Sequence, residues 1–401
     1  MQILVVNPTL ISKSLGACEQ DRLANVRDLL RLGHEVRVLS RASPHVNQTE
    51  SERHYTAMGA QATILPPPTQ RWQPSRVRDI AFLDGAAWDY GNPDFLKALM
   101  TILTTWNPAI VWCHASYLWP PALFAKQRGF PAVLRSVNNE ARHLTDLGMT
   151  LGNRLRYVGK RLGEARVTHA SVLAAITPVE QAEYAQTNPC ANVHLLPLRT
   201  LPGLLRHTPR AASDGPLRVY FMGASYNVRH NLSALEFVVQ EIAPRLRQAV
   251  PGGFEIHVLG GKVPERVAAL AAPDLIFAGY VPDLDGYLSQ MDIALAPRLS
   301  GEGMQQKLFE SLCRGFPTIT HPAALGGYSF EDGTHMMLAS TPDAYVEALL
   351  RLRDPERRAA LGSGALARAT ELFSQSAIDE RVRAILYAAL GQANAVARRA
   401  G

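Results

Sequence analysis

The 401-residue sequence predicts an α/β protein of two doubly wound parallel-sheet domains. Three observations carry that expectation. Short strand-like apolar runs alternate with amphipathic stretches at helical spacing; the alternation lapses once, in a Pro- and Gly-bearing segment, and then resumes; and no apolar run approaches the ~20 residues of a membrane span. With 47% hydrophobic and 19% charged residues, disordered and fibrous classes are excluded. The four cysteines, Cys18, Cys113, Cys190 and Cys313, show no CxxC or Cys/His spacing, which argues against a zinc site or a disulfide framework. The opening run Met1–Asn7 is too short for a signal peptide, so the expected location is cytoplasmic.

The elements follow in order. Ile3–Val6, Glu35–Leu39, Thr63–Leu65, Ala109–Trp112, Ala132–Arg135 and Val172–Ile176 are short runs of the kind that fill a buried parallel sheet. Between them the periodicity predicts helices over Asp21–Leu32, Asp94–Thr105, Leu118–Arg128 and Leu151–His169. These make one domain over 1–198, and the aperiodic segment 199–216 reads as a linker. The second series has strands at Leu217–Met222, Phe254–Leu259, Leu275–Phe277, Ile293–Ala296 and Pro317–Thr320. Its helices fall at Leu232–Arg247, Pro264–Leu270, Leu284–Gln290, Gln305–Arg314, Pro342–Leu352 and Pro355–Glu371, giving a domain over 217–376 and a final helix within 377–401. Two such domains are expected to face a central cleft at the carboxyl ends of their sheets, where ligands of these folds bind.

The most informative stretch runs from Ala296 to Pro317, leaving a strand and opening a helix. Gly301 and Gly303 permit close backbone approach, and the unpaired N–H groups of a first helical turn favour an anion such as a phosphate. Lys307 adds a full positive charge one turn in. Glu302 and Glu310, about two turns apart, can accept hydroxyl hydrogen bonds at two places on one elongated ligand, and a nucleotide sugar has that shape. The spacing alone also fits a glycine-punctuated loop closed by a structural Glu–Arg pair.

Glu302-x7-Glu310 resembles the E-x7-E signature of retaining glycosyltransferases of family 4, which have the GT-B fold of two Rossmann-like domains. Gly260-Gly261, the stretch Gly279–Leu284, Gly315-Phe316-Pro317 and Gly333 are similar to the flanks of that signature, and Lys307 to the lysine of the bacterial polysaccharide branch. The resemblance implies that a hexosyl group passes from a nucleoside diphosphate sugar, UDP- or GDP-linked, to an acceptor, with no metal and no further cofactor. It implies that Glu302 contacts the donor sugar, Glu310 the ribose and Val281 the base, with Met304 among the donor-binding residues, and that the last helix returns to the first domain. In the loop Phe221–Asn231, which includes Gly223, the family often carries an Arg and a Lys beside the diphosphate; here Ala224 and Arg229 stand in those places. Arg229 and Lys307 are therefore the expected cationic pair, with Arg298 in reserve.

The first half resembles the family through Asn7-Pro8, Gly16-Ala17 and the helix leading to Gly33, which imply a loop facing the donor. Where many members have a His after the strand ending at Arg135, this chain reads Ser136-Val137-Asn138-Asn139-Glu140. Asn138, Asn139, Glu140 and His114 are thus the acceptor-side candidates. Asp283-Leu284-Asp285 has the form of a metal-binding DxD but sits where a helix begins, which suits an N-cap. The net charge of +6 arises entirely before about residue 205, and the basic stretch Arg154–Arg166 is a candidate contact with an anionic membrane. The expected acceptor is a saccharide or lipid-linked, in surface polysaccharide or glycolipid synthesis, with no nucleic acid as partner. The alternatives are a nucleotide-sugar epimerase of the same fold, and a non-catalytic nucleotide-binding subunit of a polysaccharide assembly complex.

Overall fold

In a computed structural model the alternation of strand and helix becomes two all-parallel sheets with helices between the strands. The structure describes residues 1–8, 17–42, 48–68, 72–73, 77–145, 150–206, 215–299 and 303–400, and for residues 17, 143, 145 and 393–400 the backbone alone. They form two compact units: residues 1–200 with 302–304 and 378–401, and residues 201–301 with 305–377.

The first unit holds a seven-stranded sheet of order β3-β2-β1-β4-β5-β6-β7. Its strands are β1 (Gln2–Val6), β2 (Glu35–Arg41), β3 (Gln61–Leu65), β4 (Ile110–His114), β5 (Ala132–Arg135), β6 (Val172–Ala175) and β7 (Val193–Leu195). The central strands read as continuous apolar runs because both faces are covered. Leu4, Val6, Val111, Cys113 and Leu134 enter one core, and Ile3, Val5, Ile110, Trp112 and Val133 the opposite one. The last helix, Gln375–Ala400, places Ile378, Val382, Ile385, Leu386 and Ala389 in the second of these cores. An ion pair between Arg31 and Asp379 fixes its entry into the unit.

The second unit holds a six-stranded sheet of order β10-β9-β8-β11-β12-β13. The strands are β8 (Leu217–Ser225), β9 (Phe254–Gly261), β10 (Leu275–Gly279), β11 (Ile293–Ala296), β12 (Thr318–Thr320) and β13 (Met337–Leu338). In each sheet the order reverses beside the first strand of the unit, at β1/β4 and β8/β11, and the loops leaving those strands part in opposite directions. The expected fold class is the one observed.

Some elements differ from the sequence reading. The single helix expected over Leu232–Arg247 is Arg229–Glu236, a π-helical turn Phe237–Ile242, and Ala243–Ala249. Pro244 has no N–H to give to residue 240 and its ring crowds that carbonyl, so the helix widens there, the Ala243 N–H bonding to Val238 O. Strands β7 and β13 and the helices Gln48–Ala57, Gly85–Gly91, Glu140–Thr145 and Pro178–Thr187 were not expected. The 199–216 segment contains a 3₁₀ turn, Leu201–Leu204, whose Leu201 is buried. Residues 207–214 lie outside the described ones.

Candidate functional site

In the second unit, Val281 follows β10, Lys307 and Glu310 lie on the helix that follows β11, the neighbour of β8, and Gly223 and Arg229 lie at the carboxyl end of β8. β8 and β9 cross closely there: a Cβ on Gly260, where φ is +132°, would lie 1.8 Å from Gly223 O, and one on Gly223 would lie 2.9 Å from the Tyr226 ring. Only glycine fits such a passage. The chain then turns through Ser225 and Asn227, whose side chains are bonded at 2.6 Å, into the helix that starts with the exposed Arg229.

Asn231, one turn into that helix, ties three parts of the site together. Its Nδ2 donates to Ser225 O at 3.0 Å, and its Oδ1 accepts from Lys307 Nζ at 3.3 Å. The β8 loop and the helix Gln306–Cys313 are thereby held around one side chain, and Lys307 is brought to the helix turn that carries Arg229. The Lys307 ammonium also lies 5.1 Å from the centre of the Phe221 ring, a cation–π contact. Burial lowers its pKa to about 8. Sequence reading missed Asn231, although its position two residues after Arg229 put it within one helical turn.

The helix bearing Lys307 begins after Gln305 with no side-chain cap, and Gln305 O accepts from Leu308 N at 3.0 Å. Glu310, one turn farther, accepts from the Gln306 amide, and burial raises its pKa. Arg314 pairs with Asp285 rather than with Glu310, so the structural Glu–Arg alternative does not describe Glu310. Arg298 donates to Ala323 O at 2.8 Å, which holds its guanidinium at the ends of β11 and β12. Val281 is half-buried against the cluster of Tyr220, Leu259, Leu288 and Phe316 beyond β10. Asp283 caps its helix, accepting from Gly286 N at 3.0 Å, as expected of an N-cap. Gly303 has φ of +74° and Met304 is buried. Glu302, Gly301 and Gly16 lie outside the described residues.

The first unit presents a different chemistry. His114, offered by the sequence as an acceptor-side residue, is fully buried with Nε2 3.2 Å from Asp21 Oδ2, and burial lowers its pKa to about 4. It therefore packs as a neutral imidazole. Asp21 also meets Arg135 Nη2 at 3.2 Å and accepts from Arg199 N at 2.7 Å. Although burial pushes its carboxyl upward, Arg135 and His114 hold it below the ordinary carboxylate range.

The loop after β5 is braced from beneath. Asn139 Oδ1 accepts from Arg142 N at 3.1 Å, starting the helix Glu140–Thr145. Asn138 Oδ1 is buried and has no hydrogen-bond partner among the described residues. Lys160 Nζ bonds Glu140 Oε2 at 2.8 Å and reaches Asp84 at 3.2 Å. Glu164 accepts from Glu140 N at 2.9 Å, Ser116 Oγ at 3.0 Å and the Tyr184 hydroxyl at 2.6 Å. Ser136 in turn donates to Glu180 at 2.8 Å. Burial raises the pKa of Glu164 to about 8 and of Glu180 to about 7.

Comparison with known proteins places this architecture. Residues 16–199 match the glycosyl transferase 4-like domain, and residues 216–354 match the glycosyl transferases group 1. Together the two matches take in most of the chain, which belongs to the GT-B glycosyltransferases. Among solved structures, HepE of Anabaena in complex with UDP is similar at 14% identity, with a TM-score of 0.67 over 96% of this chain and 100% of that one. Sucrose-phosphate synthase of Thermosynechococcus elongatus matches at 16% identity and a TM-score of 0.66, covering 100% of both chains. A glycosyltransferase of Rickettsia africae matches at 11% identity and a TM-score of 0.68, over 97% of this chain and 98% of that one. By sequence, no curated protein matches.

Proposed function

We propose that the protein transfers a hexosyl group from a UDP- or GDP-sugar to a saccharide or lipid-linked acceptor with retention of anomeric configuration, in the making of a surface polysaccharide or glycolipid. The observation that carries this reading is the cluster at the end of β8: Lys307 bonded to Asn231, Arg229 on the same helical turn, and an uncapped helix end beside them. Such a group of donors and positive charge suits a departing diphosphate. Glu310, one turn along, suits the ribose hydroxyls, Val281 the base and Glu302 the sugar, with Met304 among the donor-binding residues and Gly223, Gly301, Gly303 and Gly16 giving the backbone room to approach. A donor diphosphate bound as UDP finds support in the UDP complex of HepE.

In the proposed reaction the bond from the anomeric carbon to the diphosphate oxygen breaks, and the acceptor oxygen bonds to the same face of that carbon. The departing phosphate takes the acceptor's proton, so no protein base is assigned. Arg229 and Lys307 balance the charge that develops on the diphosphate, and no metal is assigned to that task. His114, Asn138, Asn139 and Glu140 are the acceptor-side candidates, of which His114 is buried and Glu140 is bonded to Lys160, and a cytoplasmic protein that touches the membrane peripherally through residues 154–166 is the location this reading implies. Among the described residues no helix is long and apolar enough to cross a membrane.

Product analysis by NMR with each donor, in the presence of a chelator and with and without saccharide acceptors, tests the proposal. A glycoside that keeps the donor's anomeric configuration supports it. An altered donor formed without acceptor means an epimerase, and binding of nucleotide with no turnover on any acceptor means a silent subunit.

A further inference from the structure

Behind the loop that follows β5, four buried side chains join in one chain of oxygen contacts: Glu164 of the helix Leu151–Val167, Tyr184 and Glu180 of the helix Pro178–Thr187, and Ser136. Ser136 Oγ lies 2.8 Å from Glu180 Oε1, 3.0 Å from the Tyr184 hydroxyl and 3.1 Å from Asn138 O, and Tyr184 reaches Glu164 Oε2 at 2.6 Å. Four contacts need four hydrogens, and the two hydroxyls supply only two. With both carboxyls ionised, Tyr184 donates to Glu164 and Ser136 to Glu180, so Asn138 O, which can only accept, receives nothing from Ser136. A proton on Glu180 reverses that bond: Glu180 donates to Ser136 Oγ, and the serine hydrogen is freed for Asn138 O. A second proton, on Glu164, lets Tyr184 donate to Ser136, and all four contacts are filled. Both carboxyls are held in place meanwhile. Glu180 Oε2 accepts from Ile176 N at 2.8 Å, where Thr177 caps the helix. Glu164 Oε1 accepts from Ser116 Oγ and Glu140 N, on a helix packed so tightly that a Cβ on Gly159 would come 2.5 Å from Asp84 N and one on Gly163 3.1 Å from Trp119 Nε1.

We propose that Ser136 is a proton-operated clasp on the loop Val137–Glu140: a proton on Glu180 turns the serine hydroxyl onto Asn138 O and closes the clasp, and loss of that proton draws the hydroxyl back to Glu180 and opens it. The charges nearby leave room for the proton. Glu180 faces Arg135 of β5, which Asp21 engages, Glu183 on its own helix, which Arg142 pairs at 2.6 Å, and Glu164 beyond Tyr184. Glu164 faces Glu140 and, on its own helix, Lys160, whose ammonium bonds Glu140 and Asp84 instead. Burial accordingly raises the pKa of Glu180 to about 7 and that of Glu164 to about 8. A raised carboxyl keeps its proton below that value, so the clasp is closed below about pH 7 and opens as pH rises through it. Asn139 Oδ1 starts the next helix through Arg142 N at 3.1 Å, so opening loosens both the loop and the turn after it. For transfer, the affinity for the acceptor should fall over the same range; that consequence rests on the transferase reading, and the clasp does not.

Hydrogen exchange of the full chain, read by mass spectrometry in a peptide over residues 136–142 and corrected for the intrinsic rate at each pH, tests the clasp from about pH 5.5 to about 8.5. Protection there should fall by about two- to tenfold in the wild type as pH rises through about 7, the effect of one hydrogen bond, while a peptide over β4 keeps its protection. Glu180→Gln, whose amide donates to Ser136 at every pH, should hold the low-pH protection throughout, and Glu164→Gln should keep the wild-type fall. Ser136→Ala should show the weaker protection at every pH. The readout needs neither donor nor acceptor, so a failure of the transferase reading leaves it intact. A wild type whose protection does not change with pH, or a fall that persists in Glu180→Gln, overturns the proposal. So does a fall that Glu164→Gln abolishes, which would give the controlling proton to Glu164.

Discussion

Burial lowers the pKa of Lys307 to about 8, so the ammonium is charged at neutral pH and discharges a little above it. If that charge stabilises the leaving diphosphate, kcat/KM falls as pH rises through about 8, and Lys307→Arg, which stays charged, moves the falling limb to higher pH. Lys307→Ala should cost about 10²-fold or more in kcat with a smaller change in KM, the pattern of an interaction made in the transition state. Asn231→Ala should lower kcat as well, because it frees both the loop at Ser225 and the ammonium; steady-state kinetics on the two variants check this. Lys307 and Glu310 were legible in the sequence because their spacing from a Gly-rich turn has a chemical reading. Asn231 was not, since its role depends on a partner that the fold brings from 76 residues away. The burial of His114 against Asp21 was not legible either, since the two lie 93 residues apart in the sequence. Asp21→Asn should cost about 3–5 kcal/mol by leaving Arg135 buried without its counter-charge, measurable by urea unfolding.

The sheets and their order were readable from short apolar runs, whereas β13, of two residues, and β7, half-buried throughout, left little pattern to read. The helix Leu151–Val167 was placed correctly, but its inner and outer faces follow from Gly159 and Gly163 meeting other elements, which no periodicity reports. Glu164, on its inner face, is the hinge of a proton-linked network. Its pKa is raised from an ordinary value of 4.5 to about 8, so the protonated form is favoured in the folded state, and its contribution to stability is full below about 4.5 and lost as pH rises through about 8. Glu180 shifts the same way. Thermal unfolding followed from pH 5 to 8 should therefore decline with pH in the wild type and decline less in Glu164→Gln. In the last helix the buried stripe at Ile378, Val382 and Ile385 anchors the chain end to the first unit, and Ile385→Ala should cost about 2–5 kcal/mol by urea unfolding.

At the scale of the whole chain, each of the two parallel sheets reverses its order beside its first strand, at β1/β4 and β8/β11. Composition and alternation were enough for the fold class, and the Glu302-x7-Glu310 spacing pointed to the donor half that is proposed above. The acceptor half was less legible, because Asn138, Asn139 and Glu140 depend on a buried network drawn from five separate elements. The central claim is a nucleotide-sugar site at the ends of β8 and β11. Thermal shift of the wild type and of Glu310→Ala with UDP, GDP and their sugar conjugates, in the presence of a chelator, tests it most directly. Ligand at a hundredfold over its Kd should stabilise the wild type by about 2.7 kcal/mol, and that shift should be lost in Glu310→Ala. No shift with any nucleotide, or an equal shift in the variant, would contradict the account.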